Sequence, residues 1–326
     1  MVSCNSKRIR PVIDSFVDQQ ECILKEFKEY PFDSIGQPDF ILSVGDFIVL
    51  SEPKFKSLIS VFNLKTNRMY KTLPKGIGPD EMPDIMQMGM LNNDEFFVRS
   101  THSKEFFIYS SVDSFSSVHK KHIVPPNSGT SYWSENLILS TNTGEKRYSA
   151  YDMTKNIQSE FGEDLPFNDF SQTTVSQLLF GMSIGSDELK RYAWFSMYGE
   201  AFEIYNYSNP LEIKLVKQTV GILPIIVSES MAFSLDSKLG FPSITTNDSY
   251  IFALYSENTL KDAIEKRDEI FYCNVILIYD WDGNPVKKLL LDKPVRSISF
   301  NKKHNMIYCV GLDNDFNIGL FYIDKW

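Results

Sequence analysis

The sequence lacks three features that would point to membranes or nucleic acids. It has no apolar run near the ~20 residues needed to cross a membrane as a helix, and the residues given contain no signal-peptide core. It also has no basic excess, because 33 Lys and Arg stand against 42 Asp and Glu for a formal net charge of −9. Binding to phosphates needs a basic surface. Taken as given, the sequence predicts a soluble protein without a nucleic-acid partner.

Cysteine is scarce, and its four positions form no C-x-x-C pair and no metal-ligand spacing. Cys273 and Cys309 lie in apolar runs and are predicted to be buried free thiols. Cys4, in Val-Ser-Cys-Asn-Ser, is different, because this segment resembles the end of a bacterial lipoprotein signal. The apolar segment that precedes such a cysteine is not in the sequence given, so lipidation of Cys4 implies further residues upstream. The alternative is an incidental cysteine in a disordered tail.

Motifs of catalysis and metal binding are also missing. The sequence contains no nucleophile elbow, no H-E-x-x-H and no Walker pattern. His119 and His122 would point to opposite faces of a strand, so they do not predict a metal site. We therefore predict no catalytic residue, no metal and no cofactor.

What the sequence does have is aromatic, strand-forming composition, with 25 Phe and 16 Tyr. The stretch from Val275 to Gly283 is an apolar run followed by an Asp-Gly turn, and a second apolar run comes next, which predicts a hairpin. Its signature, an apolar run that ends in an aromatic residue before a polar turn, occurs six times. The aromatic residues are Phe62, Tyr109, Tyr151, Tyr205, Tyr279 and Tyr322.

These copies are mostly about 40 to 50 residues apart, the spacing of propeller blades with four strands each. The predicted fold is all-β, a six-bladed β-propeller of four-stranded antiparallel blades. We predict a single domain over residues 21–326, preceded by a polar tether over residues 1–20. The last copy ends at Trp326 without an outermost strand, so residues 22–30 are predicted to supply that strand and close the ring.

With the repeats assigned, the chain resembles the TolB-like six-bladed β-propeller family of bacterial envelope lipoproteins. Two stretches carry the resemblance besides the repeat: Lys75-Gly-Ile-Gly-Pro-Asp-Glu81 between the first two blades, and the segment from Phe241 to Tyr255 at the start of blade five. The resemblance implies the fold and an envelope location. It supplies no catalytic residue.

Ligands of propellers generally bind the face made by the blade-to-blade connections and by the loops between second and third strands. The largest predicted loops there, residues 221–240 and 256–269, flank blade five, and long loops on a compact repeat protein often bind ligands. Plugging of the channel mouth is the alternative role. We predict an apolar lip at residues 223–227. The candidate ligand-binding side chains are Arg99, His102, Lys104, Asp236, Lys238, Asp80 and Glu81.

Met86, Met88 and Met90 share one face of a strand, which favours packing between blades over a soft-metal site.

Two functional classes, binding and catalysis, are consistent with these residues, and a purely structural role in a larger envelope complex shares every sequence feature of the first. The first is a non-enzymatic, monomeric binding propeller at the cell envelope, with a protein, peptide or glycan on its loop face and membrane contact only through a lipid on Cys4. The second is a metal-assisted lactonase or glycan lyase with its site at the mouth of the central channel. The absence of a ligand set favours the first.

Overall fold

The computed structural model of the chain confirms the all-β prediction. It describes residues 10–27, 36–167, 175, 179–228 and 232–326. Within these ranges, successive four-stranded antiparallel sheets follow one another along the chain, and a final eight-stranded sheet comprises two blades. Cys4, the predicted site of lipidation, lies outside the described residues.

The N-terminal part and the first four blades have regular boundaries. A 3-10 turn, Val12–Ser15, precedes β1 (Gln19–Cys22) and β2 (Lys25–Glu26). Blade one contains β3 (Ile41–Val44), β4 (Phe47–Ser51), β5 (Ser57–Asn63) and β6 (Arg68–Pro74). Blade two contains β7 (Gln87–Met90), β8 (Glu95–Arg99), β9 (Glu105–Ser110) and β10 (Lys120–Ile123), with a 3-10 turn at Ser111–Asp113. Blade three contains β11 (Ser128–Ser134), β12 (Leu137–Asn142), β13 (Tyr148–Asp152) and β14 (Ile157–Phe161). Blade four contains β15 (Gly181–Ser186), β16 (Arg191–Ser196), β17 (Ala201–Asn206) and β18 (Lys214–Val220).

Blades five and six share a strand. A small hairpin of β19 (Ile226–Ser228) and β20 (Ala232–Phe233) precedes them. Blade five contains β21 (Ser243–Thr246), β22 (Tyr250–Tyr255), β23 (Cys273–Asp280) and the first part of β24 (Pro285–Asn301). Blade six contains the second part of β24, β25 (Met306–Leu312), β26 (Ile318–Ile323) and β2. The helix α1 (Asp262–Lys266) and a 3-10 turn, Arg267–Phe271, lie between β22 and β23.

The hairpin predicted at Val275 to Gly283 forms the outer half of blade five. Its turn is held by the carboxylate of Asp280, which accepts hydrogen bonds from the backbone N–H groups of Asp282 at 3.0 Å and Asn284 at 2.8 Å. Gly283 has a φ of 77°, a conformation that favours glycine. The turn chemistry of Asp and Gly therefore produces this hairpin, as the sequence predicts.

The inner strands form a closed ring. Contacts run from β3 through β7, β11, β15, β21 and β24 and back to β3. A buried apolar cluster lies at each of the six interfaces between neighbouring blades. The six aromatic residues that define the repeat all lie in the third strands of their blades, where Phe62, Tyr109, Tyr205 and Tyr279 are buried. Burial of the blade faces against neighbours stabilises the ring.

The N-terminal residues differ from the predicted tether and add a strand to blade five. Val12 and Phe16 are buried in the cluster between blades four and five, so they pack against the propeller instead of forming the predicted tether. β1 pairs in parallel with Lys288–Leu291 of β24, which gives blade five a fifth strand that the sequence did not predict. β2 pairs antiparallel with β26, and Phe27 donates its N–H to the carbonyl of Leu320 at 2.9 Å.

This pairing puts a strand where the sequence predicted one, but the strand is shorter than the predicted segment 22–30. Cys22 belongs to β1, and residues 28–30 lie outside the described residues.

Hydroxyl side chains join neighbouring blades around the axis. The hydroxyl groups of Ser297 and Ser299 accept hydrogen bonds from the N–H groups of Ile41 and Ser43, at 3.2 and 2.9 Å. In the same way Ser243 and Thr245 accept from Ile298 and Phe300, at 3.1 and 2.8 Å. These bonds satisfy backbone donors on inner strands that have no further strand beside them.

Among the described helices, none has the length and apolar character that a membrane span requires.

Candidate functional site

Two kinds of loop meet at one end of the propeller. Because the strands of each blade alternate in direction, the blade-to-blade connections and the loops between second and third strands lie at the same end. Backbone hydrogen bonds join the two kinds of loop: Lys75 donates to Lys56 at 2.7 Å, Thr143 to Asn127 at 3.1 Å, and Gly199 to Lys238 at 2.9 Å. We call this end the loop face, as predicted from the repeat.

The two long loops of blade five, one before β21 and the other between β22 and β23, are joined into one structure. Leu239 donates its N–H to the carbonyl of Asn258 at 2.9 Å, Leu260 to Ser237 at 2.9 Å, and Lys261 to Leu235 at 2.7 Å. We call residues 221–228, 232–240 and 256–272 the blade-five surface. The short helix α1 begins at Asp262, and Asn258 donates its side-chain amide to the carbonyl of Ile270.

Apolar side chains are exposed on the blade-five surface. Ile225 is 53% exposed, Val227 61%, Leu235 52% and Ile264 67%. The predicted lip at 223–227 is thus present in part, because Leu223 packs against the cluster between blades three and four. Exposed apolar side chains grouped on paired segments are typical of surfaces that bind other molecules.

A cavity of about 290 Å³ opens between the blade-five surface and the loop that joins β25 and β26. Glu257, Lys266 and Glu269 contribute charge to its wall, while Tyr272 and Phe316 contribute rings. Neither Asp236 nor Lys238 is among its described lining residues. Asp236 is exposed and Lys238 is half-buried, with a backbone bridge to Thr259.

Three of the predicted residues lie at the end of β8 and in the loop between β8 and β9 of blade two, in unlike surroundings. His102 is 73% exposed, with its Nε2 atom 3.8 Å from a carboxylate oxygen of Asp84, and Lys104 is also exposed. Arg99 is buried. It donates hydrogen bonds to the carbonyls of Ser128 and Gly129 in blade three, and burial lowers the pKa of Arg99 to about 10. Arg99 therefore joins two blades, while His102 and Lys104 contact solvent.

Asp80 and Glu81 close the glycine-rich connection after blade one. The carboxylate of Glu81 accepts the N–H of Gly78 at 2.9 Å and occupies the space that a side chain at Gly76 would need. Asp80 is 77% exposed and forms an ion pair with Lys121 at 3.1 Å. The motif forms a turn between blades one and two, and Glu81 is part of that turn.

The central channel is the second candidate site. It contains a cavity of about 170 Å³ to which all six inner strands contribute, for example through Ile41, Met88, Tyr132, Ile184, Ile244 and Ile298. None of its described lining residues is charged. In the described ranges, no group of three or more His, Cys, Asp or Glu side chains could hold a metal ion. The carboxylates of Asp80, Glu81, Asp84 and Asp236 are not among the described residues that line the channel.

The methionine prediction is confirmed in part. Met88 is buried in the cluster between blades one and two, and Met90 packs against that cluster, as expected for interblade packing. Met86, Met88 and Met90 also line the channel, where Met182 joins them. Met182, Ile184 and Ile244 were not selected from the sequence, since a residue in a short inner strand has the same pattern whether it borders a neighbour or a cavity.

Two buried glutamates were also missed. Glu203 forms an ion pair with Arg147 at 2.7 Å, with side chains 0% and 4% exposed, and accepts hydrogen bonds from Tyr148 and Gln218. Burial raises the pKa of Tyr148 well above its usual value. Glu200 accepts hydrogen bonds from Val12, Ile222 and Tyr255. Both carboxylates are enclosed by protein partners from neighbouring blades, so they stabilise the contacts between blades.

These features define a six-bladed propeller with a loop-built surface and an uncharged channel wall. The family model described as "TolB-like 6-blade propeller-like" matches residues 13–303. The chain belongs to this TolB-like six-bladed propeller family. No curated protein matches the sequence.

Solved propeller structures are similar to the chain at low sequence identity. A member of the DUF4221 family from Bacteroides vulgatus has a TM-score of 0.58 and 8% identity, with 94% of this chain and 97% of that chain covered. The β-propeller domain of Cps50 (Swd1) from Myceliophteria thermophila has a TM-score of 0.46 and 10% identity, with coverage of 89% and 97%. BamB from Moraxella catarrhalis has a TM-score of 0.39 and 8% identity, with coverage of 86% and 68%. At such identities the likeness shows the fold alone.

Proposed function

We propose that this protein is a non-enzymatic binding propeller of the bacterial cell envelope that docks a protein partner on its loop face. The observation that carries the proposal is the exposure of Ile225, Val227, Leu235 and Ile264 on the blade-five surface. Burial of these four side chains against a partner would remove apolar area from water, which is the main driving force of protein association. Membership of the TolB-like family supports a binding role.

Exposed polar groups on the loop face, Asp236 on this surface and the others across the ring from it, are proposed to orient the partner. His102, Lys104, Asp80 and Asp236 are exposed on loops of the same face. Charged residues at the rim of an interface affect the rate of association and the choice of partner more than the final affinity. Substitution of His102 or Lys104 is thus expected to weaken binding less than substitution of the apolar residues.

Photocrosslinking tests the proposed surface. A photoreactive amino acid is placed at Val227 or Ile264 in the protein's own host, and at Leu211 as the control. Leu211 is 83% exposed and lies between the third and fourth strands of blade four, at the end opposite the loop face. We expect one common protein adduct from Val227 and Ile264 and none from Leu211. The same adduct from all three positions, or none from the first two, would overturn the proposal.

Envelope attachment is proposed to depend on Cys4. A lipid on its sulfur and the new N-terminus would hold the propeller at a membrane surface without a spanning helix. Intact-mass measurement of protein from the native host is expected to show a mature chain that begins with acylated Cys4. An unacylated, internal Cys4 would refute this part of the proposal and leave the partner-binding part standing.

A further inference from the structure

The central channel carries an inference that does not depend on the blade-five surface. We propose that it is a binding site for a small, uncharged, apolar molecule, such as a single aromatic ring or a short alkyl group. The cavity lies between the six inner strands, and its described wall contains thioether, aromatic and branched aliphatic side chains without a charge. An ionic ligand would leave its charge unpaired there, which disfavours binding.

Several hydroxyl and amide side chains of the wall are already engaged by the protein. Ser297, Ser299, Ser243 and Thr245 each accept a backbone N–H from the next blade, as described above. Thr130 donates to the carbonyl of Gly181 at 2.8 Å, and Gln87 donates to the carbonyl of Ser131 at 2.7 Å. A polar ligand would have to compete with these bonds, whereas an apolar one leaves them intact.

The volume and flexibility of the site fit such a guest. An apolar cavity of about 150 Å³ in another protein stays dry and binds benzene or xenon, and the channel cavity is about 170 Å³. Four of the chain's 11 methionines, Met86, Met88, Met90 and Met182, contribute to the wall. Methionine side chains are unbranched and polarisable, so they adjust to ring or alkyl shapes at little cost.

Binding to the wild-type protein is the first test. Crystals under xenon pressure are expected to show xenon beside Met182 and Ile244, and toluene is expected to raise the Tm through binding to the folded state. Benzoate, which adds a charge to a ring of similar size, is expected to leave the Tm unchanged. Absence of both xenon density and a toluene effect would overturn the proposal, as would equal binding of benzoate and toluene.

Matched variants then test whether toluene binds in the channel cavity. Met182→Trp places a bulky ring in the cavity and is expected to weaken toluene binding at least about tenfold. Met153→Trp is the control, because Met153 is a half-buried residue that packs between blades two and three and does not line the channel. Ile244→Phe is a second filling variant should Met182→Trp fail to fold. Unchanged toluene affinity in the folded filling variants would contradict the assignment.

Discussion

The carboxylate of Glu200 accepts a hydrogen bond from the backbone N–H of Val12 at 3.0 Å, although 188 residues separate them in sequence. Ile222 donates to the same oxygen at 3.1 Å, and the hydroxyl of Tyr255 donates to the other. Glu200 is fully buried. One side chain therefore joins the N-terminal segment to blades four and five.

Loss of Glu200 is expected to destabilise the fold. Glu200→Ala leaves three donors without an acceptor, and each buried unsatisfied donor costs about 1–3 kcal/mol. We expect the free energy of unfolding to fall by at least about 3 kcal/mol in urea denaturation. Glu200→Gln, which keeps one acceptor oxygen, is expected to lose less. In a chain without residues 1–16 the cost of Glu200→Ala should shrink, because Val12 is no longer present; equal costs in both backgrounds would contradict the coupling.

The packing of the N-terminal segment is tested by two adjacent residues. Phe16 is 7% exposed and lies 5.1 Å from the ring of Tyr279, measured between centroids, whereas Val17 is 98% exposed. We expect Phe16→Ala to lower the free energy of unfolding by about 3 kcal/mol. Val17→Ala should change it by less than about 0.5 kcal/mol. Similar stabilities of the two variants would show that the segment does not stay packed in solution.

Arg99 is expected to behave as a joint between blades. Arg99→Lys retains the charge but loses the planar fork that reaches two carbonyls of blade three, so we expect a loss of about 2 kcal/mol. The control is His102→Ala, since His102 is 73% exposed and its removal should be nearly neutral for stability. If the Arg99→Lys protein is as stable as wild type, the guanidinium does not stabilise the contact between the two blades.

Low pH is expected to weaken the contact between blades one and six at Asp46, which lies at the end opposite the loop face. Burial opposes ionisation of Asp46, yet hydrogen bonds from Lys303, Lys65 and His304 lower the pKa of Asp46 to about 2. An aspartate in the unfolded chain has a pKa of about 3.9. Ionised Asp46 therefore stabilises the fold above pH ~4, and this contribution is lost as the pH falls towards 2.

The comparison with Asp46→Asn measures that contribution. At pH 6 we expect the variant to be about 1 kcal/mol less stable than wild type, because the lysines are exposed and their charges are screened. The difference should shrink as the pH falls from 4 to 2.5. Asp248→Asn is the control, since Asp248 is 55% exposed and pairs with Lys302. A difference that does not change with pH would contradict the assignment.

Thiol labelling separates Cys4 from the other cysteines. Cys22, Cys273 and Cys309 are buried, and burial raises the pKa of Cys273 to about 12. These three thiols should react with a disulfide reagent only after unfolding, because the reactive thiolate is disfavoured and shielded. A Cys4→Ser protein is expected to show no reactive thiol in the native state and three after unfolding. Rapid reaction of a Cys4→Ser variant would contradict the burial of the rest.

The fold was largely predictable because the repeat has strong local chemistry. Apolar runs that end in aromatic residues, such as the one before Asp280, define the third strands, and polar turns that begin with Asp or Asn follow most of them. β1 was not predictable in this way. Gln19–Cys22 is short and polar. It pairs with β24, which is far away in sequence, and such a pairing cannot be inferred from the local residue pattern.

The candidate site was predictable in outline only. Loop length located the blade-five surface, since insertions interrupt a regular repeat. The roles of single residues depended on burial: Arg99 and His102 stand three positions apart in one polar segment, yet one is enclosed and the other is in solvent. The channel wall was not recognised, because it collects one or a few residues from each of six separate strands.

The pairing of β2 with β26 also affects the order in which the blades fold during synthesis. Lys25 and Asp324, which form an ion pair, are 299 residues apart, so β2 leaves the ribosome long before its partner β26. At typical synthesis rates this delay is on the order of tens of seconds. During that interval the earlier blades can form while blade six has no completed edge. The strand β26 therefore pairs with one that was made early and has waited unpaired, and formation of the last blade should be a late, slow step in folding.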